Sequence, residues 1–435
     1  MSELNTPLAS PLDPALAADR DEKIPILEAR GLDALCRRVV LGALAHLTEG
    51  SVTVKDGASR SSFGSQTGAG GDLAAELVVH NPRFWRQIGL GGSIGTAEAY
   101  MDGAFSVDDL VALLRIVVRN RPALLRIERL FDWVAGPWQR LSHALRANTR
   151  SGSRRNIHAH YDLGNEFFSQ FLDPSMTYSS AIFSRPGMSL EEAQTEKIDR
   201  ICRRLALQPG ERVVEIGTGW GGFAEHAARH YGVYVTTTTI SPAQATFARE
   251  RIARAGLADR VEILELDYRD LPGATGRPFD KLVSIEMIEA VGHRYLDTFF
   301  GVCSRLLAPH GKMALQAITI RDSFYERALK SIDFIQYLIF PGAFIPSISA
   351  ISGAVARSTD MVVTHLEDIG SSYAETLFQW RRSFLANRAE IRRQGFPESF
   401  VRLWEFYFAY CEAGFRERTI GDAQIILAKP QCAAS

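Results

Sequence analysis

Apolar and polar positions change their spacing along the chain, and the changes mark its elements. Ile26 to Leu47 carries apolar residues at helical spacing and stops at Gly50-Ser51. Ser51 to Lys55 alternates, and Leu73 to His80 is a short apolar run, so both read as strands. Between them, Ser59 to Gly71 is rich in glycine and serine and reads as a flexible loop. Asn81-Pro82 starts a turn into Phe84-Trp85-Arg86, and this mixed α+β segment ends near residue 118. From 195 to 320, short apolar runs alternate with helical stretches. Candidate strands are Val213–Gly217, Val233–Ile240, Val261–Asp267, Lys281–Glu286 and Lys312–Ile320, with helices near 222–230, 242–255 and 294–308. Such βαβ alternation predicts a parallel sheet covered on both faces. Met361–Leu366 and Ala423–Lys429 read as two later strands, with helical stretches 374–393 and 398–412 between them. The apolar insertion 321–360 has the composition of a lid or a pocket wall.

The first strand of this series runs into Gly217-Thr218-Gly219-Trp220-Gly221-Gly222, and a helical stretch follows from Phe223 to Arg229. A turn of this kind lets the backbone approach a nucleotide-like ligand. Its plainer role is an ordinary strand-to-helix turn. A nicotinamide cofactor asks for an acidic residue about 20 positions on, to hold the ribose. Here the second strand ends Thr236-Thr237-Thr238-Thr239-Ile240-Ser241, without a carboxylate. No phosphate-binding G-x-x-x-x-G-K-[ST] loop occurs either. Ser241-Pro242 reads as a helix start, which lets Thr239 and Gln244 face a cofactor sugar. Asp267 ends the third strand; it can accept from an adenine amino group or cap its own turn. Seven strands with a late pair suit an S-adenosylmethionine methyltransferase better than a dehydrogenase.

Composition narrows the picture. A chain of 435 residues suggests two domains, or one with an appendage. The net charge of -1 gives no case for nucleic acid. No apolar run reaches the ~20 residues of a membrane span. Met1 to Asp21 is polar, without a signal-peptide core, and is expected to be disordered. The five cysteines are scattered without a C-x-x-C pair, which points to a reducing, cytoplasmic setting and no structural zinc. His158 and His160 lack a third metal-ligand pattern, so no metal is expected. Pro122 to Arg150 places Trp133 and Trp138 beside several arginines. It reads either as a helix lying on an anionic bilayer or as an interdomain helix with a solvated face.

Residues 75–430 resemble the cyclopropane-fatty-acyl-phospholipid synthases and, more distantly, the mycolic-acid cyclopropane synthases. The blocks that carry the resemblance are His160-Tyr161-Asp162-Leu163-Gly164-Asn165, Met176 to Ala181, the glycine turn, Thr239 to Gln244, Asp267 to Leu271, Glu286 to Gly292 and Phe340-Pro341-Gly342. Gly92 to Gly103 resembles the family's lipid-handling N-terminal domain. The resemblance implies an α/β fold: a Rossmann-like, seven-stranded class I methyltransferase sheet with a smaller N-terminal α+β lipid-engaging domain. The expected organisation is a tail 1–22, that N-terminal domain 23–120, a helical linker 121–155 and a catalytic domain 156–435.

The activity implied is transfer of a methylene from S-adenosylmethionine to the cis double bond of an unsaturated phospholipid acyl chain. Methyl addition makes a carbocation, and a proton must then leave. In the family a bound bicarbonate is thought to take it. By resemblance, Glu289 and Tyr373 belong to that anion site, Ile318 offers it backbone only, and Cys411 matches a cysteine sometimes treated as catalytic. A buried structural role suits Cys411 better, since the chemistry needs no thiolate. Ser180 and Gln316 stand where the family usually has cysteine and histidine. Both can hydrogen-bond an anion, but glutamine cannot shuttle a proton. The expected cofactor contacts are Tyr178, Ser179, Val213, Glu215, Gly217, Thr218, Gly219, Trp220, Gly221, Thr239, Ile240, Ser241, Gln244, Asp267, Tyr268 and Arg269. The expected partner is unsaturated phospholipid at a membrane surface, with the protein cytoplasmic and peripherally bound; a homodimer is one option, and the sequence leaves the oligomeric state open. Three rivals stand beside this reading. They are an enzyme on the same scaffold that makes methyl- or methylene-branched chains, an inactive lipid-binding protein, and a methyltransferase for small molecules or nucleic acid.

Overall fold

The computed structural model describes residues 29–65, 73–121 and 163–432. The expected tail, His158, His160, Tyr161 and all but the first residue of the expected linker lie outside them. Among the described residues, eleven strands form two sheets. The N-terminal sheet has the order β2-β1-β3-β4, from β1 (Gly50–Asp56), β2 (Ser59–Ser65), β3 (Ala74–Val79) and β4 (Phe105–Val107). Strand β2 corrects the expectation of a flexible loop from Ser59. It pairs antiparallel with β1, from Gly50 opposite Ser65 to Asp56 opposite Ser59. Ladder hydrogen bonds come from the backbone, and this strand is mostly exposed, so serine serves as well as valine. Helices Leu32–Leu44, Arg83–Met101 and Leu110–Arg119 complete this region; the second kinks at Gly92, where φ is 52°.

The larger sheet runs β10-β11-β9-β8-β5-β6-β7. Its strands are β5 (Arg212–Ile216), β6 (Tyr234–Thr239), β7 (Val261–Glu265), β8 (Phe279–Ile285), β9 (Leu307–Ile320), β10 (Val362–Asp368) and β11 (Ile420–Ala428). Strands β5 to β9 are parallel neighbours, while β11 runs antiparallel between β9 and β10. The strand order reverses between β5 and β8, which opens a crevice at the carboxyl ends of the strands. All seven strands fall on the segments that the apolar pattern marks.

Helix Leu190–Leu205 covers one face of the sheet and was not marked by that pattern. Its start is a capping box: Ser189 accepts from the Glu192 backbone, and the Glu192 carboxylate accepts from Ser189 N. Its buried face carries Gln194 and Lys197 among Ile198, Ile201 and Leu205, so polar residues interrupt the apolar stripe. The insertion 321–360 contains helices Asp322–Ala328 and Ile348–Ser358 with a π-helical turn Ile335–Ile339 between them. The stretch 374–393 is two helices, Gly370–Ala386 and Arg388–Arg393, parted at Asn387. Helix Glu398–Arg416 touches Arg83–Met101, Leu110–Arg119 and Gly370–Ala386. One apolar core therefore runs from Trp85, Phe105 and Ile116 to Phe171, Trp380 and Trp404.

Candidate active site

At the end of β5 the chain turns through Gly217 (φ 102°), Gly219 (φ 52°) and Gly221 (φ 84°) into helix Gly222–Tyr231. These φ values suit glycine. A Cβ on Gly217 would also stand 3.3 Å from Met287 Cγ. The turn floors a cavity of about 540 Å³. From the cofactor contacts expected by resemblance, Tyr178, Ser179, Glu215, Gly217, Thr218, Gly219, Trp220, Thr239, Ile240, Gln244, Asp267, Tyr268 and Arg269 line it. Three do not. Val213 lies two residues back along β5, sealed in the core beneath the strand end. Gly221 instead admits helix Pro242–Arg254, since a Cβ there would meet the Ala248 Cβ at 3.2 Å. The Ser241 hydroxyl is spent on capping that helix, accepting from Gln244 N at 3.4 Å.

Several polar groups are already oriented. Thr237 donates to Glu215 Oε2 at 2.6 Å, and Thr239 donates to Gln244 Oε1 at 3.0 Å. Burial pushes the Glu215 carboxyl up to about 8, against the pull of Thr237 and Lys197. Asp267 accepts from the Arg269 backbone at 3.0 Å and grips its guanidinium at 2.8 and 2.6 Å. The turn-capping role of Asp267 is thus realised. A glycine turn and acceptors at the strand ends fit S-adenosylmethionine, whose amino, hydroxyl and adenine groups need acceptors and whose lack of phosphate needs no lysine loop.

Beyond the turn the lining becomes apolar and aromatic. Phe340, Phe344 and Ile345 of the insertion and Tyr407, Tyr410, Cys411 and Phe415 of helix Glu398–Arg416 line this half. Tyr178 packs 5.3 Å from the Phe168 and Trp380 rings, and its hydroxyl lies 3.2 Å from that of Tyr407. Val118 and Arg121 also line the cavity, so the N-terminal region contributes to its wall. Burial raises the Cys411 thiol far above its ordinary value, with Asp333 adding to the effect. A neutral thiol is a poor nucleophile, as its structural reading requires.

Between the two halves sits an acidic cluster. Glu289 Oε1 accepts from Ile318 N at 2.6 Å, and Oε2 is sealed from water without a hydrogen-bond partner. Burial, with Glu286 nearby, pushes the Glu289 carboxyl up to about 8. Glu286 accepts from Ser180 N at 2.8 Å, Gln316 Nε2 at 2.8 Å and the Tyr373 hydroxyl at 2.7 Å. Gln316 also donates to Asp422 Oδ2 at 3.1 Å and accepts from Gln424 at 3.0 Å. Burial and the Glu286 charge raise the Asp422 carboxyl well above its usual range. The Ser180 hydroxyl turns away to Ala181 O at 2.9 Å.

Bicarbonate does not fit this arrangement. Ser180 and Gln316 stand outside the lining, and the donors expected for the anion are held by Glu286 and Glu289.

Glu286, Lys197 and Asp422 were not singled out as site residues from the sequence. Lys197 is fully buried and donates to Ser179 Oγ at 2.6 Å. Burial lowers its pKa to about 8, opposed by Glu286, Asp422, Asp173 and Glu215. Gln194 binds the Ser179 carbonyl at 2.9 Å, so helix Leu190–Leu205 pins the segment that carries Tyr178. A lysine on an apolar helix face and an aspartate in a strand buried on both faces are the signals that mark Lys197 and Asp422.

Residues 148–425 match the family profile described as mycolic acid cyclopropane synthetase. Tuberculostearic acid methyltransferase of Mycobacterium tuberculosis is 38% identical over 363 residues, 82% of this chain and 83% of that protein. Cyclopropane-fatty-acyl-phospholipid synthase of Escherichia coli K12 is 36% identical over 361 residues, 82% of this chain and 89% of its own. The crystal structure of mycolic acid cyclopropane synthase CmaA1 complexed with SAH and CTAB superposes with a TM-score of 0.59 at 33% identity, covering 63% of this chain and 98% of that one. The cyclopropane synthase MmaA2 from Mycobacterium tuberculosis gives 0.58 at 31% identity, covering 63% and 98%. With the profile spanning most of the chain and these identities beside it, the protein belongs to the mycolic acid cyclopropane synthetase family, S-adenosylmethionine-dependent methyltransferases of class I fold.

Proposed function

We propose that this protein transfers a one-carbon unit from S-adenosylmethionine to the cis double bond of an acyl chain in an unsaturated phospholipid. One observation carries the reading: a single cavity joins the glycine turn to an aromatic, apolar half, with a carboxylate cluster between them. Tyr178, Glu215, Gly217, Thr239 and Gln244 hold the donor, which supplies an electrophilic methyl group. Phe340, Phe344 and Ile345 wall the acyl chain and keep water from the alkene, a nucleophile too weak to compete otherwise. Carbon–carbon bond formation leaves positive charge on the chain. The faces of Tyr178, Tyr373, Tyr407 and Phe415 and the acidic cluster stabilise it. Loss of one proton then completes the reaction.

Residues 23–120 serve as the lipid-engaging domain and 156–435 as the catalytic domain. Arg121, 5.4 Å from the Phe324 ring and exposed, suits a lipid phosphate. Among the described residues no helix is long and apolar enough to cross a membrane, in keeping with peripheral attachment to the cytoplasmic face.

Closure to a cyclopropane is the first product reading. Methyl or methylene branching is the second, favoured by Ser180 and Gln316 and by similarity to a tuberculostearic acid methyltransferase. The test is transfer of labelled methyl from S-adenosylmethionine to vesicles of cis-unsaturated phospholipid, with saturated vesicles as control and NMR of the product. Label confined to the unsaturated lipid supports the proposal; none in either refutes it. Light scattering checks the homodimer option.

A further inference from the structure

We infer that the Glu286 carboxylate is the proton acceptor of the reaction, built into the chain where a separately bound anion would otherwise sit. The inference rests on the lipid-alkylation reading above. Three donors, Ser180 N, Gln316 Nε2 and the Tyr373 hydroxyl, converge on this one side chain at 2.7 to 2.8 Å. Glu286 lines the cavity, whereas Ser180, Gln316 and Asp422 stand behind it, outside the lining. A free anion in the cavity is therefore shut off from Ser180 N and Gln316 Nε2, and the Tyr373 hydroxyl, which does belong to a lining residue, is already given to Glu286.

The backbone tells the same story independently. Glu286 has φ 47°, in the left-handed region that favours glycine. A residue with a Cβ there costs about 1–2 kcal/mol. Such strain, when kept at a site, points to a use for the side chain. The backbone is held there by Glu286 N donating to Gln316 O at 2.8 Å.

This carboxylate is the member of the cluster on which the donors converge. Burial, with Glu286 nearby, pushes Glu289 up to about 8 and raises Asp422 well above its usual range. Lys197, which also belongs to the lining, interacts with the Glu286 charge. The methyl C–H bonds of the alkylated cation become strongly acidic as the methyl carbon bridges toward the cationic carbon, so placement matters more than basicity.

The balance of the step is simple. The alkene π pair forms a bond to the methyl carbon, and the sulfonium keeps the pair of the bond it loses, becoming a neutral thioether. The new methyl group on the resulting cation then loses a proton to Glu286. The electron pair of that C–H bond closes the ring onto the cationic carbon, and Glu286 becomes a neutral acid; for a methylene product, the hydrogen on the methyl-bearing carbon first moves with its electron pair to the cationic carbon, and the same C–H pair then forms the double bond. Its proton passes to solvent before the next turnover.

The test uses the full-length enzyme with vesicles of cis-unsaturated phospholipid, in buffers freed of bicarbonate or supplemented with it. Wild-type turnover is expected to be unaffected by bicarbonate. Glu286→Gln should lose at least about 100-fold in turnover, with S-adenosylmethionine affinity by calorimetry unchanged. Glu286→Gly suits the backbone at φ 47° and should fold. It is expected to be inactive without bicarbonate and partly restored by it, because the donors are then freed. Wild-type dependence on bicarbonate, or Glu286→Gln turnover within a few-fold of wild type, overturns the inference. So does Glu286→Gly activity without bicarbonate. A wild-type enzyme that transfers no methyl at all refutes instead the proposed function on which it rests.

Discussion

Glu286 and Glu289 lie three positions apart on one loop, yet their surroundings differ sharply. Glu286 collects three donors, whereas Glu289 has one, Ile318 N, and an unpartnered oxygen sealed from water. Burial keeps Glu289 protonated up to about pH 8. An amide matches a protonated carboxyl in shape and retains the acceptor for Ile318 N. Glu289→Gln should therefore keep turnover at pH 7 within a few-fold of wild type, while Glu289→Ala should lose about tenfold or more through the orphaned Ile318 N–H. Steady-state kinetics on the two variants checks this, and a Gln variant as inactive as the Ala variant contradicts it. By resemblance, Glu289 and Tyr373 are expected at a bound anion; the structure brings both to the cavity lining, with Tyr373 on Glu286. Glu286 is not expected there, although it begins one of the motif blocks, because what marks it is its left-handed backbone and the three donors, which only the folded chain brings together.

At the scale of elements, the glycine turn, the seven strands of the large sheet and the crossover helices follow from apolar spacing and cap residues. Strand β2 was hidden because an exposed strand needs no apolar alternation. Helix Leu190–Leu205 was hidden because Gln194 and Lys197 occupy its buried face. The N-terminal region is fastened through Glu417, just past the end of helix Glu398–Arg416, which accepts from Arg115 at 2.6 Å and Arg119 at 2.8 Å. Burial alone would raise the Glu417 carboxyl, but the two guanidiniums hold it below its ordinary value. A depressed pKa contributes stability above pH 4.5, and that contribution is lost as the pH falls further. Glu417→Gln should destabilise the fold by about 1–3 kcal/mol at pH 7, read from urea unfolding. The difference from wild type should shrink toward pH 3. An unchanged midpoint at pH 7 would show that the clamp carries no net stability.

The whole molecule sets several ionisable groups in one dry interior beside an apolar cavity, which favours chemistry over ligand-free stability. Glu215 shows the cost. Its carboxyl is raised from 4.5 to about 8, so between those values the folded chain holds a proton that the unfolded chain has released. Its contribution to stability therefore falls as pH rises through that window. Glu215→Gln keeps an acceptor for Thr237 and removes the titration. The ligand-free variant should lose less melting temperature than wild type between pH 5 and pH 8, and parallel curves contradict the assignment. The central claim is that a methyl carbon joins the lipid and then gives up one proton inside the cavity. It is tested most directly with S-adenosylmethionine carrying a trideuterated methyl group and cis-unsaturated phospholipid vesicles, by mass spectrometry of the product acyl chain. The account predicts that the added carbon keeps two deuterons. A product keeping all three, or lipid with no added carbon, would contradict it.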